Sequence, residues 1–76
     1  MAGYTEVDTL DEGDVSCTIT RRTSDIGIIQ HSCKFFRSYV QAGERKTTVW
    51  MNPRHLAAVM ALIPRVEKAI AEDKES

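Results

Sequence analysis

The chain has 76 residues, a formal net charge of −1 and 42% hydrophobic residues. This length has room for a single domain over residues 1–76, and the hydrophobic fraction is typical of a globular chain and not of a disordered one. No apolar run approaches the roughly 20 residues of a membrane-spanning helix, and no basic-then-apolar leader opens the chain. Since its two cysteines do not form the framework of a small secreted protein, we expect an intracellular protein with reduced thiols.

Charge is distributed unevenly along the chain. Residues 1–14 contain five acidic residues and no basic one, whereas residues 15–55 contain seven basic residues and two acidic ones. The acidic segment is interpreted as a solubilising arm. Because the strands fall largely in the basic part, the sheet should carry a positive surface, which suggests an anionic partner.

The first half of the chain alternates as β-strands do. Residues 5–10 alternate weakly and predict a short edge strand, which a turn at 11–14 follows. Residues 14–22 alternate cleanly, so this strand should bury one face, and a turn over 23–27 ends it. The side chains on the buried face would be Val15, Cys17 and Ile19.

Two further strands are predicted before the helix. The run 28–41 is rich in β-branched and aromatic residues, which predicts one long strand with a bulge around Ser32–Cys33, where the alternation becomes mixed. Residues 42–46 are polar and partly basic and predict a hairpin loop. The last strand, 47–51, alternates again, which assigns Val49 and Met51 to the helix side and Trp50 to the opposite side.

A single helix follows this strand. Asn52 is a good N-cap, and Pro53 suits the first helical position, where a missing N–H costs nothing. Pro64 removes one intrahelical hydrogen bond and should kink the helix without ending it. Apolar residues recur every three or four positions along one face, with Ala58 and Leu62 beside that stripe. The stripe consists of Leu56, Val59, Met60, Ile63, Val66 and Ile70.

The order β-β-β-β-α, with consecutive hairpins, predicts an α+β fold. It would be a four-stranded antiparallel β-meander with one face covered by the kinked C-terminal helix. Segments 1–4 and 72–76 should be flexible. Because a chain this short is marginally stable on its own, and association is a usual remedy, we also expect a homodimer.

Two motifs stand out in the second half of the chain. One joins the last strand to the helix and reads Met51-Asn52-Pro53-Arg54-His55-Leu56, then Leu62-Ile63-Pro64-Arg65-Val66-Glu67-Lys68-Ala69-Ile70. The other is Phe36-Arg37-Ser38-Tyr39-Val40, followed by the basic loop. Together they resemble the positive cofactor 4 type of transcriptional coactivator and its bacterial and phage relatives, over about residues 34–71.

The resemblance implies a homodimer that binds single-stranded DNA on its curved sheets and packs its helices at the dimer interface. Arg37 and Tyr39 carry over from the hydrophobic-Arg-x-Tyr strand of the family, and Arg45 and Lys46 fall in its basic loop. The helical residues expected at the interface are Val59, Leu62, Ile63, Val66 and Ile70.

The residue chemistry fits the same ligand. Single-stranded nucleic acid is held by cations along a groove and by bases stacked on aromatic rings. Of the adjacent pair Phe35 and Phe36, we assign Phe36 to the core and Phe35 to the binding surface. Trp50 would replace a stacking ring that the family often has where this chain has Val40. The candidate residues are Arg22, Lys34, Phe35, Arg37, Tyr39, Arg45, Lys46 and Trp50. For the charged residues, the alternative is an ordinary solvated sheet face, and for Trp50 it is dimer packing or a different strand register.

The predicted function is largely sequence-independent binding of single-stranded DNA in transcription, replication or repair, with that machinery as a further partner and RNA left open as a ligand. The alternative is a small protein-interaction dimer whose basic sheet face binds an acidic partner protein. We expect no membrane association, cofactor, metal or enzyme activity. Cys17, His31, Cys33 and His55 match no standard zinc spacing, and His31, Cys33 and Asp25 have no nearby oxyanion hole.

Overall fold

A computed structural model describes residues 3–75, so positions 1, 2 and 76 of the predicted flexible ends lie outside the described residues. Within this range, neighbouring strands are antiparallel and the sheet order β1-β2-β3-β4 follows the chain. The predicted four-stranded meander with a C-terminal helix is confirmed. The elements are β1 (Gly3–Glu12), β2 (Val15–Thr23), β3 (Ile29–Gln41), β4 (Glu44–Thr48), a 3₁₀ turn (Pro53–His55) and α1 (Leu56–Glu75).

The core forms where β2 meets α1. The clean alternation of β2 is confirmed, since its apolar residues are fully buried. Leu62 and Val66 of α1 pack against them, and Val7 and Leu10 of β1 close the side of the cluster. The buried apolar residues of β2 are Val15, Cys17 and Ile19, and the hydroxyl residue Ser16 between them is also buried.

The buried side of α1 differs from the predicted stripe. Leu62, which was expected beside the stripe, has an exposed fraction of 0% and lies at the centre of the buried side of the helix. Met60, which was expected in the stripe, is 70% exposed. Leu56 and Ile63 are also exposed. The apolar surface of this helix is wider than the part that its own sheet covers, so one flank remains outside. The helix continues through Pro64.

α1 packs mainly over β1 and β2 and leaves the same side of β3 and β4 largely uncovered. Arg65 fixes one edge of the helix, because its Nη1 donates to the carbonyl oxygen of Asp11 at 2.9 Å and to Oε2 of Glu12 at 3.2 Å. At about 100° per residue, Ile63 lies on the opposite flank from Arg65, toward the uncovered half of the sheet, and Met60 lies further round on the solvent side. The exposed apolar flank of α1 therefore extends from the uncovered half of the sheet round to solvent.

The start of the helix is tied to the β1–β2 turn through His55, which is buried. The ring Nδ1 of His55 accepts a hydrogen bond from the backbone N–H of Asn52 at 3.0 Å, and the backbone N–H of His55 donates to the carbonyl oxygen of Asn52 at 2.8 Å. The other ring nitrogen, Nε2, lies 3.6 Å from Oδ2 of Asp14. The helical conformation begins at Pro53, as predicted.

The predicted bulge around Ser32–Cys33 is wrong. β3 pairs with β2 without a register shift through these residues, and the irregularity lies instead in β1, between Glu6 and Asp8. Val7, the extra residue at this bulge, packs against the core. A bulge changes which residues of a strand face the core, and here it gives β1 an inward apolar side chain.

The fourth strand is present, but the predicted bounds of the hairpin loop, 42–46, and of this strand, 47–51, are wrong. A two-residue turn, Ala42–Gly43, joins β3 to β4, and both residues have positive φ, of 54° and 77°. This geometry suits the right-handed twist of the paired strands. The polar residues after it form the edge strand β4, so Val49 and Trp50 lie beyond the strand. Met51 still packs against the core, as expected.

Candidate nucleic-acid interface

The sheet has two faces with different surroundings. We call the face toward α1 the helix side, and the other the open face. Alternation along β2 places Val15, Cys17 and Ile19 on the helix side, and the residues between them on the open face. The register extends this to β3, since Thr18 pairs with Lys34 and Ser16 with Phe36.

A groove of about 690 Å³ lies on the open face. Aromatic side chains from three parts of the chain line it: Tyr4 from β1, Phe36 from β3 and Trp50 from the segment after β4. Lys34 supplies a cation beside them. The residues with hydroxyl groups that line the groove include Thr18, Thr20, Ser32 and Thr47. The groove therefore combines ring faces, positive charge and hydrogen-bonding groups.

The segment that carries Trp50 is fixed from the helix side of the sheet. Arg37 Nε donates to the carbonyl oxygen of Trp50 at 2.7 Å, and the Trp50 N–H donates to Oγ1 of Thr48 at 3.2 Å. The Arg37 guanidinium also lies 5.6 Å from the centre of the Tyr39 ring, a cation–π distance. The Trp50 residue is nevertheless 80% exposed. Its backbone is held while its indole remains free to make contacts.

The assignment of the phenylalanine pair is reversed in the structure. Phe35 pairs with Cys17 on the helix side and packs against the core, whereas Phe36 lines the groove of the open face. Adjacent residues of a strand point to opposite faces, so one of the two had to be outside. The register with β2 decides which one.

The predicted nucleic-acid residues divide between the two faces. Arg37 pairs with Val15, and two residues further on Tyr39 pairs with Lys46, so these three lie on the helix side together with Phe35. The predicted set mixed the two faces because it was chosen by residue type. The members on the open face are Arg22, Lys34, Arg45 and Trp50.

Two aromatic residues of the groove were missed from the sequence, Tyr4 and Phe36. The direction of Phe36 follows from its register with β2, which the local sequence does not state. Tyr4 was missed because it was assigned to a flexible end. In the structure it lies in β1 opposite Arg22.

The predicted dimer interface also divides. Leu62 and Val66 are buried in the core of the protomer, and Val59 and Ile70 pack against that core. Ile63 remains exposed. The expectation of a helix-mediated dimer stays a prediction, but its contact residues shift to the exposed flank of α1, which consists of Leu56, Met60 and Ile63.

Other polar groups on the helix side are engaged with one another. Asp73 of α1 bridges two strands, since Oδ1 accepts from Arg21 Nη1 and Oδ2 contacts His31 Nε2, both at 2.6 Å. The hydrogen bond with His31, together with that from Arg21, lowers the pKa of the Asp73 carboxyl. Burial, with a smaller contribution from Cys33, raises the pKa of the Cys17 thiol to about 11, so this thiol is protonated at neutral pH. Both cysteines are free thiols, and Cys33 is exposed.

Residues 3–75 contain no group of three or more His, Cys, Asp or Glu side chains placed to hold a metal ion. Over the same residues, no helix has the length and hydrophobicity needed to cross a bilayer. Comparison of the chain with protein-family models, curated proteins and solved structures gives no match.

Proposed function

We propose that the protein binds single-stranded DNA on the open face of its sheet, largely independently of sequence, as a homodimer. The observation that carries this proposal is the groove, in which Tyr4, Phe36 and Trp50 surround Lys34. Each base stacked on an aromatic ring contributes about 1–3 kcal/mol, and cations beside the rings neutralise phosphates. Arg22 and Arg45 extend the positive charge along the same face.

The kind of groove supports a single-stranded ligand. Aromatic rings stack on bases that have left their own stack, which a duplex does not offer without distortion. The hydroxyl groups of Thr18 and Thr20 contact Thr9 and Tyr4 within the protomer. Hydroxyl groups act as donors or acceptors, so those of Ser32 and Thr47 do not impose one base pattern. Stacking and hydroxyl contacts together explain tolerance of different sequences.

The exposed flank of α1 supports association into a homodimer. Ile63 extends the apolar surface of the helix toward the uncovered half of the sheet, and Met60 continues it onto the solvent side. A chain of this length buries only roughly 60% of its unfolded surface by itself. A second copy packed on this flank would remove apolar area from water in both protomers. The resemblance to single-stranded DNA-binding coactivators fits this arrangement and a role in transcription, replication or repair.

Fluorescence titration tests the DNA proposal, because Trp50 is the one tryptophan of the chain. Single-stranded oligonucleotides of unrelated sequence should quench its emission, duplex DNA should do so less, and an RNA series decides the ligand left open. Lys34→Ala should weaken binding and flatten the log–log salt dependence by roughly 0.7 for the lost phosphate contact. Lys68→Ala, on the exposed side of α1, is the control with the same charge change.

Equal loss in the two lysine variants would show a general charge effect and not a site. No binding of any nucleic acid by the wild type would overturn the proposal. In that case, salt-sensitive binding to an acidic polypeptide would favour the alternative, a protein-interaction dimer.

Sedimentation tests the homodimer. The wild type should sediment at twice the protomer mass, and a mass near 8.5 kDa at micromolar concentration would contradict the proposal. Met60→Asp should produce folded monomers, because it places a charge in the proposed interface but in solvent within the protomer. Ala61→Asp, its exposed neighbour on the far side of the helix, should remain dimeric.

A further inference from the structure

The two edge strands of the described sheet carry opposite charge. β1 forms one edge, and it contains four acidic residues and no basic one over Gly3–Glu12. β4 forms the other edge, where Arg45 and Lys46 outnumber Glu44. Edge strands present unpaired backbone groups that a further strand is able to use.

These charges discriminate between the ways in which two copies could pair by their edges. Two β1 edges would bring acidic side chains together, and two β4 edges would bring Arg45 and Lys46 together; like charges opposite one another destabilise strand pairs. The pairing of β1 with β4 is the one that brings opposite charges together. Charge therefore disfavours the symmetric pairings and favours the head-to-tail one.

The groove runs across the strands and ends near both edges. It begins at Tyr4 in β1 and ends at Val49 and Trp50, directly after β4. β1 and β4 run antiparallel to each other in the sheet order, so a second copy in the same orientation would continue the antiparallel pattern. Edge-to-edge pairing would then place the end of one groove beside the start of the next.

The side-chain directions agree with such a contact. Asp8 pairs with Ile19 and therefore lies on the helix side, as does Lys46 opposite Tyr39. Glu6 lies on the open face, as does Arg45. Pairing that places Tyr4 of a second copy beside Val49 places its Glu6 opposite Thr47, next to Arg45 on the same face. Because of the bulge at Val7, it also places Asp8 opposite Lys46. Asp8 and Glu6 thus each have a basic residue beside them on their own face.

We propose that the β1 edge of one copy pairs with the β4 edge of a second copy, joining the open-face grooves into one continuous track for single-stranded DNA. This inference rests on the proposed DNA-binding function. A head-to-tail contact repeats from copy to copy and does not close on itself unless the rotation permits a ring. The contact makes binding along a long strand cooperative, because each bound copy offers its neighbour a charged edge.

One existing hydrogen bond limits how the edge pairs. The carboxylate of Asp8 accepts the N–H of Thr9 at 2.8 Å. This backbone donor is already satisfied, so the edge contact relies on the other backbone groups of β1 and on the charge pairs. A modest attraction follows, which the shared DNA strand strengthens by holding the copies side by side.

Binding to short and long oligo-deoxythymidylate separates the two proposals. An oligonucleotide of about 12 nucleotides reports one site, and one of about 60 reports several neighbouring sites. The wild type should bind the long strand cooperatively, and Asp8→Lys should reduce the ratio of long-strand to short-strand affinity by about three- to tenfold. Lys46→Asp should do the same. The double variant Asp8→Lys/Lys46→Asp should recover the wild-type ratio, because the exchanged charges again attract.

The outcomes distinguish failure of the DNA-binding function from failure of the edge contact. Failure of the wild type to bind the short oligonucleotide overturns the DNA-binding function, and the edge contact with it. Short-strand binding without cooperativity on the long strand overturns the edge contact alone. Unchanged cooperativity in Asp8→Lys, or no recovery in the double variant, also overturns it. Glu75→Lys, near the end of α1 and away from its exposed apolar flank, is the charge-matched control and should keep the wild-type ratio.

Discussion

The two faces of this sheet are formed by the same strands, yet one holds the fold together and the other does not contribute to the core. On the helix side, alternate residues of β2 are buried against Leu62 and Val66. On the open face, Thr18 and Thr20 share a groove with Phe36, which is half-buried, and with Tyr4 and Trp50, which are exposed. Packing explains the first set of residues fully. The second set is not part of the hydrophobic core, which is why we assign it the binding function.

The comparison is sharpest where one step along the chain crosses from one face to the other. Phe35 and Phe36 are chemically identical neighbours on opposite faces, so substitutions at this pair change one face at a time. They test whether stability and binding are separate properties of the two faces. Within α1, buried Leu62 and exposed Ile63 form a second pair, which tests the core alone.

The largest effect on stability is expected at the centre of the helix side. Leu62→Ala removes a fully buried side chain and should lower the free energy of unfolding by about 2–5 kcal/mol, through lost burial and the cavity that remains. In a domain this small, that loss should leave much of the protein unfolded at 37 °C. Urea unfolding followed by circular dichroism measures it. The matched variant Ile63→Ala, compared with Leu62→Ala in the monomeric Met60→Asp background, should cost the protomer about 1 kcal/mol or less; equal losses in both variants would contradict the assignment of the core.

The phenylalanine pair should separate stability from binding. Phe36→Ala should weaken single-stranded DNA binding by about 1–3 kcal/mol, the value of one stacked base, with little change in stability. Phe35→Ala should lower stability by about 1–3 kcal/mol, less than a fully buried ring, and leave the affinity of the folded fraction unchanged. Titration and urea unfolding of both variants give the four values. The reverse pattern would show that the register of β3 places the wrong ring on the open face.

Acidification should weaken the contact that holds the end of α1 to the helix side. The hydrogen bonds with His31 and Arg21 lower the pKa of Asp73 below its ordinary value of 3.8. A carboxyl with a lowered folded-state pKa contributes stability above the unfolded-state value and loses it as the pH falls through the folded-state one. Asp73→Asn should therefore be less stable than the wild type at neutral pH, and the difference should shrink below about pH 4. Melting temperatures over a pH series measure this; a constant difference at all pH values would exclude the charge of Asp73 as its cause.

Sequence reasoning succeeded where the alternation was clean and failed where residue type replaced it. The buried face of β2 followed directly from its pattern. Phe35 and Phe36 lie in a run without alternation, so their directions depend on pairing with another strand, which local sequence does not state. The wide apolar surface of α1 gave no sign of which part its own sheet would cover. In the candidate site this ambiguity assigned Phe35 to the open face and omitted Phe36.

The prediction of the β3–β4 hairpin was wrong for a different reason. Glu44, Arg45 and Lys46 resemble a loop because they are polar, but charged residues are also what an exposed edge strand requires. The bulge at Val7 was not foreseen either, since weak alternation over 5–10 is what a strand with one extra residue produces. Edge strands are the part of a sheet in which composition is least informative.

The smallest predicted effect lies in the turn of this hairpin, which contributes to neither face. Ala42 has a φ of 54°, a left-handed conformation in which its Cβ is strained, and Gly43 follows at 77°. Asparagine tolerates this conformation, and Asn-Gly is a preferred sequence for a two-residue turn with positive φ at both positions. Ala42→Asn should therefore raise the free energy of unfolding by about 0.5–1 kcal/mol. Gly43→Ala should lower it by a similar amount or more, because it adds a Cβ where φ is more positive still. Urea unfolding of the two variants gives opposite signs if the turn is as described, and DNA affinity should be unchanged in both because neither side chain lines the groove. If Ala42→Asn stabilised the fold but weakened binding, the hairpin would be positioning Arg45, and the separation between fold and binding face would not hold at this edge of the sheet.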